Sequence, residues 1–126
     1  MVRRSRGIPT PTIIDRKMPY QVALPDDLCT DRNYTLIRRF LAERGMSCRT
    51  RAVIAVWDDG NQEQWRLHCF ADHEAAASFL DHFGGLMFDP KRDREKGQAR
   101  GVWRRQGAYE RILELGQLSV PEALRN

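Results

Sequence analysis

The stretch that decides the fold is Arg51-Ala52-Val53-Ile54-Ala55-Val56-Trp57, followed by Asp58-Asp59-Gly60-Asn61 and by residues 63–70. Two runs rich in β-branched and aromatic residues flank an Asp-Gly step, a pattern typical of a β-hairpin. A two-residue turn at Asp59-Gly60 would pair Asp58 with Asn61. That pair fixes the predicted register of the whole hairpin.

The predicted register sorts the side chains onto two faces, because successive residues of a strand point to opposite sides. The face expected in the core pairs Ile54 with Trp65, Ala52 with Leu67 and Thr50 with Cys69. The opposite face pairs Trp57 with Gln62, Ala55 with Gln64, Val53 with Arg66 and Arg51 with His68. This second face mixes aromatic, cationic and polar groups, and we expect it to be a working surface.

The hairpin lies within a longer series of predicted elements. Alternating residues predict a first strand at 18–24, and apolar spacing predicts a helix from Thr30 or Asp31 to Gly45. Asp72 is a candidate N-cap for a second helix, which the glycines at 84 and 85 would end, and residues 86–88 form a short last strand. The order predicts a ferredoxin-like α+β fold, a two-layer plait (βαββαβ) with an antiparallel sheet. A three-stranded α+β arrangement explains the same pattern.

The chain length suits one domain with appendages. Residues 1–17 predict a basic extended arm, because prolines stand among Arg, Ser and Thr without any period. Residues 18–90 hold the ferredoxin-like domain. Residues 91–126 predict a basic linker and a C-terminal helical segment, in which Tyr109, Ile112 and Leu113 indicate a helix that ends at Gly116.

The net charge of +4 is distributed unevenly. Residues 1–17 hold five basic residues and one acidic residue, and residues 91–105 hold seven basic residues and two acidic residues. Residues 18–90 hold seven basic and eleven acidic residues. Such segregation indicates either that the flanks meet an anionic partner or that they fold back on their own acidic domain.

Composition argues against several classes of protein. No apolar run reaches the roughly 18 residues of a membrane span, and the N-terminus lacks the apolar segment of a secretory signal. We therefore expect a cytoplasmic protein without membrane contact. The three cysteines at 29, 48 and 69 are odd in number and form no C-x-x-C pair, which predicts reduced thiols.

No motif predicts catalysis, a metal site or a cofactor. His68 and Cys69 are neighbours on a strand and face opposite sides, while His73 and His82 lie on opposite sides of a helix. We expect surface histidines and a core cysteine, and no metal. Paired Asp residues at 26–27 and 58–59 are explained by a strand end and a turn.

The candidate contact residues combine charge with aromatic planes. Trp57 and Trp103 are predicted to stack on bases. The predicted anion or nucleic-acid contacts are Arg3, Arg4, Arg6, Arg51, Arg66, Lys91, Arg92, Arg94, Arg104 and Arg105. Alternatively, the sheet face is covered by the C-terminal segment with Trp103, Tyr109, Ile112 and Leu113, or by a second subunit.

The leading hypothesis is a small non-enzymatic binding module. It would contact a nucleic acid or an acidic protein through its basic flanks and an open sheet face. The second hypothesis is a self-associating assembly or protein-interaction domain, such as a homodimer, whose sheet face is buried between subunits. A third is an enzyme or ligand-binding domain with a polar pocket between sheet and helices.

Overall fold

A computed structural model describes residues 9–125 of the chain. The helices are α1 (Pro11–Lys17), α2 (Asp31–Glu43), α3 (His73–Phe83) and α4 (Pro90–Asp93). The strands are β1 (Tyr20–Pro25), β2 (Arg49–Val56), β3 (Gln62–Phe70), β4 (Leu86–Phe88), β5 (Trp103–Arg104), β6 (Glu114–Leu115) and β7 (Leu118–Ser119). Short 3₁₀ turns occupy Asp26–Cys29, Glu95–Gly97 and Glu122–Leu124. The α+β class is confirmed.

The sheet differs from the predicted ferredoxin-like plait. Its five strands lie in the order β4-β1-β3-β2-β5, and β5 runs parallel to β2 while the other neighbours are antiparallel. The sheet is mixed and curls strongly into a half-barrel, so the prediction of a simple antiparallel plait was wrong. Strand β5 forms only because the chain returns to the edge of β2, where Trp103 lies opposite Ala55. A two-residue pairing of this kind leaves no periodic signal in the sequence.

Several local predictions are confirmed. Helix α2 begins at Asp31 and ends at Glu43, two residues before Gly45, and α3 begins after Asp72 and ends before Gly84. The carboxylate of Asp72 accepts a hydrogen bond from the Glu74 amide at 3.2 Å, as an N-cap should. Strand β4 covers the three residues that were predicted for it. These elements depend on local caps and apolar spacing, which the sequence displays directly.

The hairpin exists, but its predicted register was wrong by one residue. The Trp57 amide donates to the Asn61 carbonyl at 2.9 Å, so the loop contains three residues rather than two. Gly60 has a φ of 89°, a conformation suited to glycine, and its amide donates to the Trp57 carbonyl. Consequently Val53 lies opposite Trp65.

The shift exchanges the two faces of β2, because a slip of one residue turns every side chain over. Ile54, predicted to be in the core, is 36% exposed, whereas Val53 is only 2% exposed. Trp57 and Trp65, predicted on opposite faces, belong to one buried cluster. The proposed working surface therefore does not form.

One hydrophobic core lies between the sheet and the helices α2 and α3, and we call it the helix-side core. Strands β1 and β3 contribute Val22, Leu24 and Phe70, whereas β2 contributes no fully buried residue. The other buried members are Leu28, Cys29, Ile37, Phe40, Leu41, Ala76, Phe79, Phe83, Leu118 and Val120. Helices α2 and α3 thus leave the helix-side face of β2 less covered than its neighbours.

A second core covers the opposite face of the sheet, and we call it the outer core. It combines Ile14 from α1 with Trp103 from β5, and Tyr109 and Ile112 pack against it. The remaining buried members are Ala23, Val53, Ala55, Trp57, Trp65, Leu67, Cys69 and Phe88. Since the C-terminal segment covers this face, the alternative of a covered sheet is confirmed for Trp103, Tyr109 and Ile112.

Both flanks differ from the predicted conformations in the described part of the chain. Residues 11–17 were expected to be extended but form α1, where the Thr10 hydroxyl accepts from the Ile13 amide and Pro11 occupies the first turn. Residues 1–8 lie outside the described residues. The predicted helix ending at Gly116 was also wrong, because residues 108–113 are irregular and lead into the β6–β7 hairpin. Their apolar side chains contact both cores rather than one face.

The face assignment predicts different costs for two neighbouring truncations in β2. Val53→Ala should lower the free energy of unfolding by about 2 kcal/mol, because it removes two buried methyl groups and leaves a cavity. Ile54→Ala removes more atoms but from the exposed face, and should cost less than about 1 kcal/mol. Urea unfolding of both variants measures the two losses in the free energy of unfolding. A larger loss for Ile54→Ala than for Val53→Ala would contradict the observed register.

Candidate functional site

Two of the predicted anion contacts, Arg51 and Arg94, are buried. The Arg51 side chain is 8% exposed, forms an ion pair with Asp15 of α1 and donates to the Ala99 carbonyl. Arg94 donates to the carbonyls of Gly101 and Ala52, each at 3.0 Å. Burial lowers the pKa of Arg94 to about 10, with a further contribution from Arg51, so its guanidinium stays charged at neutral pH. Both arginines hold the flanks against the sheet.

The predicted stacking residues are also enclosed by the chain itself. Trp57 and Trp103 are buried in the outer core, and Trp57 packs edge-on against Tyr109 with ring centroids 5.0 Å apart. The guanidinium of Arg105 lies 4.3 Å from the Trp103 ring centroid and also approaches Trp57 and Trp65. Such cation–π contacts stabilise the cluster. Neither tryptophan offers an open plane for a base.

Arg66 and His68 occupy the other side of the sheet. Arg66 is half-buried and its Nε donates to Asp26 at 2.9 Å. His68 is buried and stacks on Phe79 in the helix-side core. The predicted grouping of Arg51, Trp57, Arg66 and His68 on one face was therefore wrong, because the register shift and the alternation of β3 separate them.

The remaining predicted contacts differ in exposure and pairing. Lys91, Arg92 and Arg104 are exposed. Arg92 forms a two-contact ion pair with Asp93, and Arg104 lies 3.5 Å from Glu95. Arg3, Arg4 and Arg6 lie outside the described residues. Whether any of these residues binds an anion stays a prediction.

The structure brings the two basic flanks together. Arg16 of α1 and Lys91 of α4 line one groove of about 350 Å³, and Lys91 and Arg92 line an adjoining groove of about 380 Å³. The exposed cations Lys17, Lys96 and Arg100 are close to these grooves in sequence. We call the six residues Arg16, Lys17, Lys91, Arg92, Lys96 and Arg100 the basic face.

The carboxylates near the basic face are already engaged. Asp15 accepts from Arg51 and from the Gln21 amide group, and Asp89 caps α4 by accepting from the Lys91 amide. Asp93 pairs with Arg92. Within residues 9–125, Arg16, Lys17, Lys91, Lys96 and Arg100 form no ion pair. The exposed positive charge is therefore available to a partner.

Sequence reasoning missed four members of the basic face as site residues: Arg16, Lys17, Lys96 and Arg100. The unequal charge of the segments indicated that the flanks are basic, but a net charge does not show which individual residues are exposed. A local signal for α1 was present, since Thr10 followed by Pro11 matches an N-cap and a first helical residue. What the sequence lacked was the contact between α1 and the segment after β4.

The chemistry of the basic face is that of anion binding. Arginine and lysine donate charge-assisted hydrogen bonds to phosphate or carboxylate oxygens. No cluster of three His, Cys, Asp or Glu side chains that could hold a metal ion occurs between residues 9 and 125. In the same range, no helix has both the length and the apolar character that crossing a membrane requires.

Comparison with known proteins yields no relative for this chain. No protein-family model, curated protein or solved structure matches it significantly.

The buried imidazole of His68 predicts a pH-dependent stability. Burial lowers the pKa of His68 from 6.5 to about 4, and the charge of Arg66 lowers it further. The unfolded chain binds this proton more readily, so His68 contributes stability that is fully present above about pH 6.5 and is lost as the pH falls towards 4. The expected loss is about 3 kcal/mol.

Denaturant unfolding at several pH values in this window tests the effect. His68→Phe should make the free energy of unfolding depend less on pH, because the variant has no imidazole to take up a proton on unfolding. The slope that remains comes from the carboxylates, which both proteins share. His73→Gln, which changes an exposed histidine, should keep the wild-type slope. An unchanged slope in His68→Phe would contradict the burial of a neutral imidazole.

Removal of the charge on Asp15 should destabilise the protein strongly. Asp15→Asn leaves Arg51 buried close to Arg94 without a counter-ion, and we expect a loss of about 3 kcal/mol in the free energy of unfolding. The control Arg16→Gln alters the next, exposed residue and should change stability by less than about 0.5 kcal/mol. Guanidinium unfolding measures the stability of both variants. Equal losses of stability in Asp15→Asn and Arg16→Gln would argue against a structural role for the Arg51–Asp15 ion pair.

Proposed function

We propose that the protein is a small binding module whose basic face contacts the phosphate backbone of a nucleic acid. The supporting observation is that Arg16 and Lys91, one from each flank, line two adjoining grooves. These two cations and the exposed Lys17, Lys96 and Arg100 of the same flanks form no ion pair within residues 9–125. Phosphates are recognised by such groups through charge and hydrogen bonds.

The enclosed tryptophans favour contact with the backbone over contact with the bases. Trp57 and Trp103 are buried against the chain, so base stacking on them would require the outer core to open. Backbone contacts alone carry little sequence information. We therefore expect binding with weak sequence preference and strong salt dependence.

The burial of the outer face also bears on the self-association hypothesis. That hypothesis relied on Val53, Ala55 and Trp57 lying on an open surface, whereas α1 and the C-terminal segment cover them. An acidic protein remains the alternative partner, since carboxylates bind the same cations. Competition between an oligonucleotide and an acidic polypeptide for the basic face would separate the two partners.

Oligonucleotide titrations at several salt concentrations test the proposal. Each lost phosphate contact should reduce the slope of log K against log salt by about 0.9 on duplex DNA. The double variant Arg16→Gln/Lys91→Gln should therefore lower affinity and reduce the slope by about 2. The control Arg32→Gln/Arg39→Gln removes the same charge from exposed positions on α2.

A matched loss of affinity in both double variants would indicate a response to net charge alone and would contradict a localised basic face. Absence of binding by the wild-type protein at low salt would remove the nucleic-acid proposal.

A further inference from the structure

A cleft of about 280 Å³ opens on the helix side of the sheet, where α2 faces β2 and β3. Its floor includes Thr50, Arg66 and His68, and α2 supplies one wall. The full lining is Cys29, Tyr34, Ile37, Arg38, Leu41, Cys48, Arg49, Thr50, Arg66 and His68. We call this site the arginine cleft. It lies on the opposite face of the sheet from the outer core. Helix α1, which carries part of the basic face, packs on that outer core.

The charged side chains that line the arginine cleft are all cationic. Three guanidinium groups line it, those of Arg38, Arg49 and Arg66, and the lining contains no carboxylate. Asp26 contacts Arg66 through Nε, but Asp26 is not part of the lining. Burial raises the pKa of the Cys29 thiol to about 12 and that of the Cys48 thiol to about 12, so neither thiol opposes an anion at neutral pH.

One buried polar atom of the residues that line the arginine cleft lacks a partner within the described part of the chain. His68 is only 3% exposed, and its Nδ1 atom is buried without a hydrogen bond. Arg38 forms no ion pair between residues 9 and 125. A buried polar atom without a partner is costly, and folded proteins rarely retain one without a reason. A ligand that reaches His68 would supply the missing hydrogen bond.

The donor set suits a phosphoryl group. Arginine side chains present fork-shaped donors that match phosphate oxygens, and the hydroxyls of Thr50 and Tyr34 add donors from other directions. A phosphoryl group offers three terminal oxygens to such a set, one more than a carboxylate. The volume lies just below the range of about 300–1,000 Å³ for drug-sized ligands, which favours a small molecule.

We propose that the arginine cleft binds a small phosphorylated ligand, whose phosphoryl group contacts Arg38 and Arg66 and reaches His68 at the floor. Ile37 and Leu41 of α2 form an apolar wall against which the organic part of the ligand packs. This site realises the third sequence-based alternative, a polar pocket between sheet and helices. It is independent of the basic face, because the two sites share no residue.

Ring-proton NMR titration with glycerol phosphate and with inorganic phosphate tests the inference. Both probes carry the phosphoryl group, so both should shift the His68 signals in a saturable manner, and tighter binding of the ester identifies a phosphate monoester as the ligand rather than the free ion. A bound dianion favours the protonated imidazole, so the apparent pKa of His68 should rise in the complex. The signals of His73 and His82 provide internal references.

Two neighbouring arginines of α2 give a matched pair of variants. Arg38→Gln should weaken glycerol phosphate binding by at least about tenfold, because it removes a charge-assisted hydrogen bond. Arg39→Gln changes the next residue, which is exposed and does not line the arginine cleft, and should bind as the wild type does.

Three outcomes would overturn the inference: no saturable shift of His68 with either probe, equal binding by Arg38→Gln and Arg39→Gln, or equal binding of acetate and phosphate. None of them would bear on nucleic-acid binding by the basic face, which the variants of Arg16 and Lys91 test separately.

Discussion

The constraint on which the rest of the structure depends is the three-residue turn at residues 58–60. It pairs Trp57 with Asn61 and thereby places Val53, Trp57 and Trp65 on the same face of the sheet. A face with that much apolar surface is unstable in water and must be covered. The cover comes from both ends of the chain, from α1 and from the segment that carries Trp103. The parallel strand β5 is part of that cover.

The basic side chains of the chain therefore fall into two groups. Arg51, Arg94 and Arg105 use their guanidinium groups inside the fold, where they bind carbonyls, a carboxylate and aromatic rings. Arg16 and Lys91 instead face solvent beside a shared groove. Folding back on the acidic domain thus applies to Arg94 and Arg105 of the second flank. Contact with a partner stays a prediction for Arg16 and Lys91. Arg51 links the two flanks. Its ion pair with Asp15 and its hydrogen bond to the Ala99 carbonyl anchor α1 beside the chain that follows β4.

The opposite face of the sheet has a different character. Helices α2 and α3 bury side chains of β1 and β3, but no residue of β2 enters the helix-side core as a fully buried member. Ala52 and Ile54 remain exposed there, and the arginine cleft opens between α2 and the start of β2. Incomplete coverage by helices thus leaves the arginine cleft, whereas the flanks that cover the other face carry exposed cations beside two shallow grooves. This difference is the basis for proposing a small ligand for one face and an extended polyanion for the other.

The sequence by itself determined the elements that local interactions specify. Helix α3 begins after the cap of Asp72 and ends before Gly84, the hairpin lies where Asp-Gly indicates it, and the charge is segregated as counted. Tertiary structure decided the register, because Asp-Gly suits loops of two or three residues and β2 has apolar residues on both faces. It also decided which arginines stay exposed, because their burial depends on contacts between segments far apart in the chain. A shift of one residue exchanges the faces of a strand, and the packing energy that selects one register comes from those distant segments.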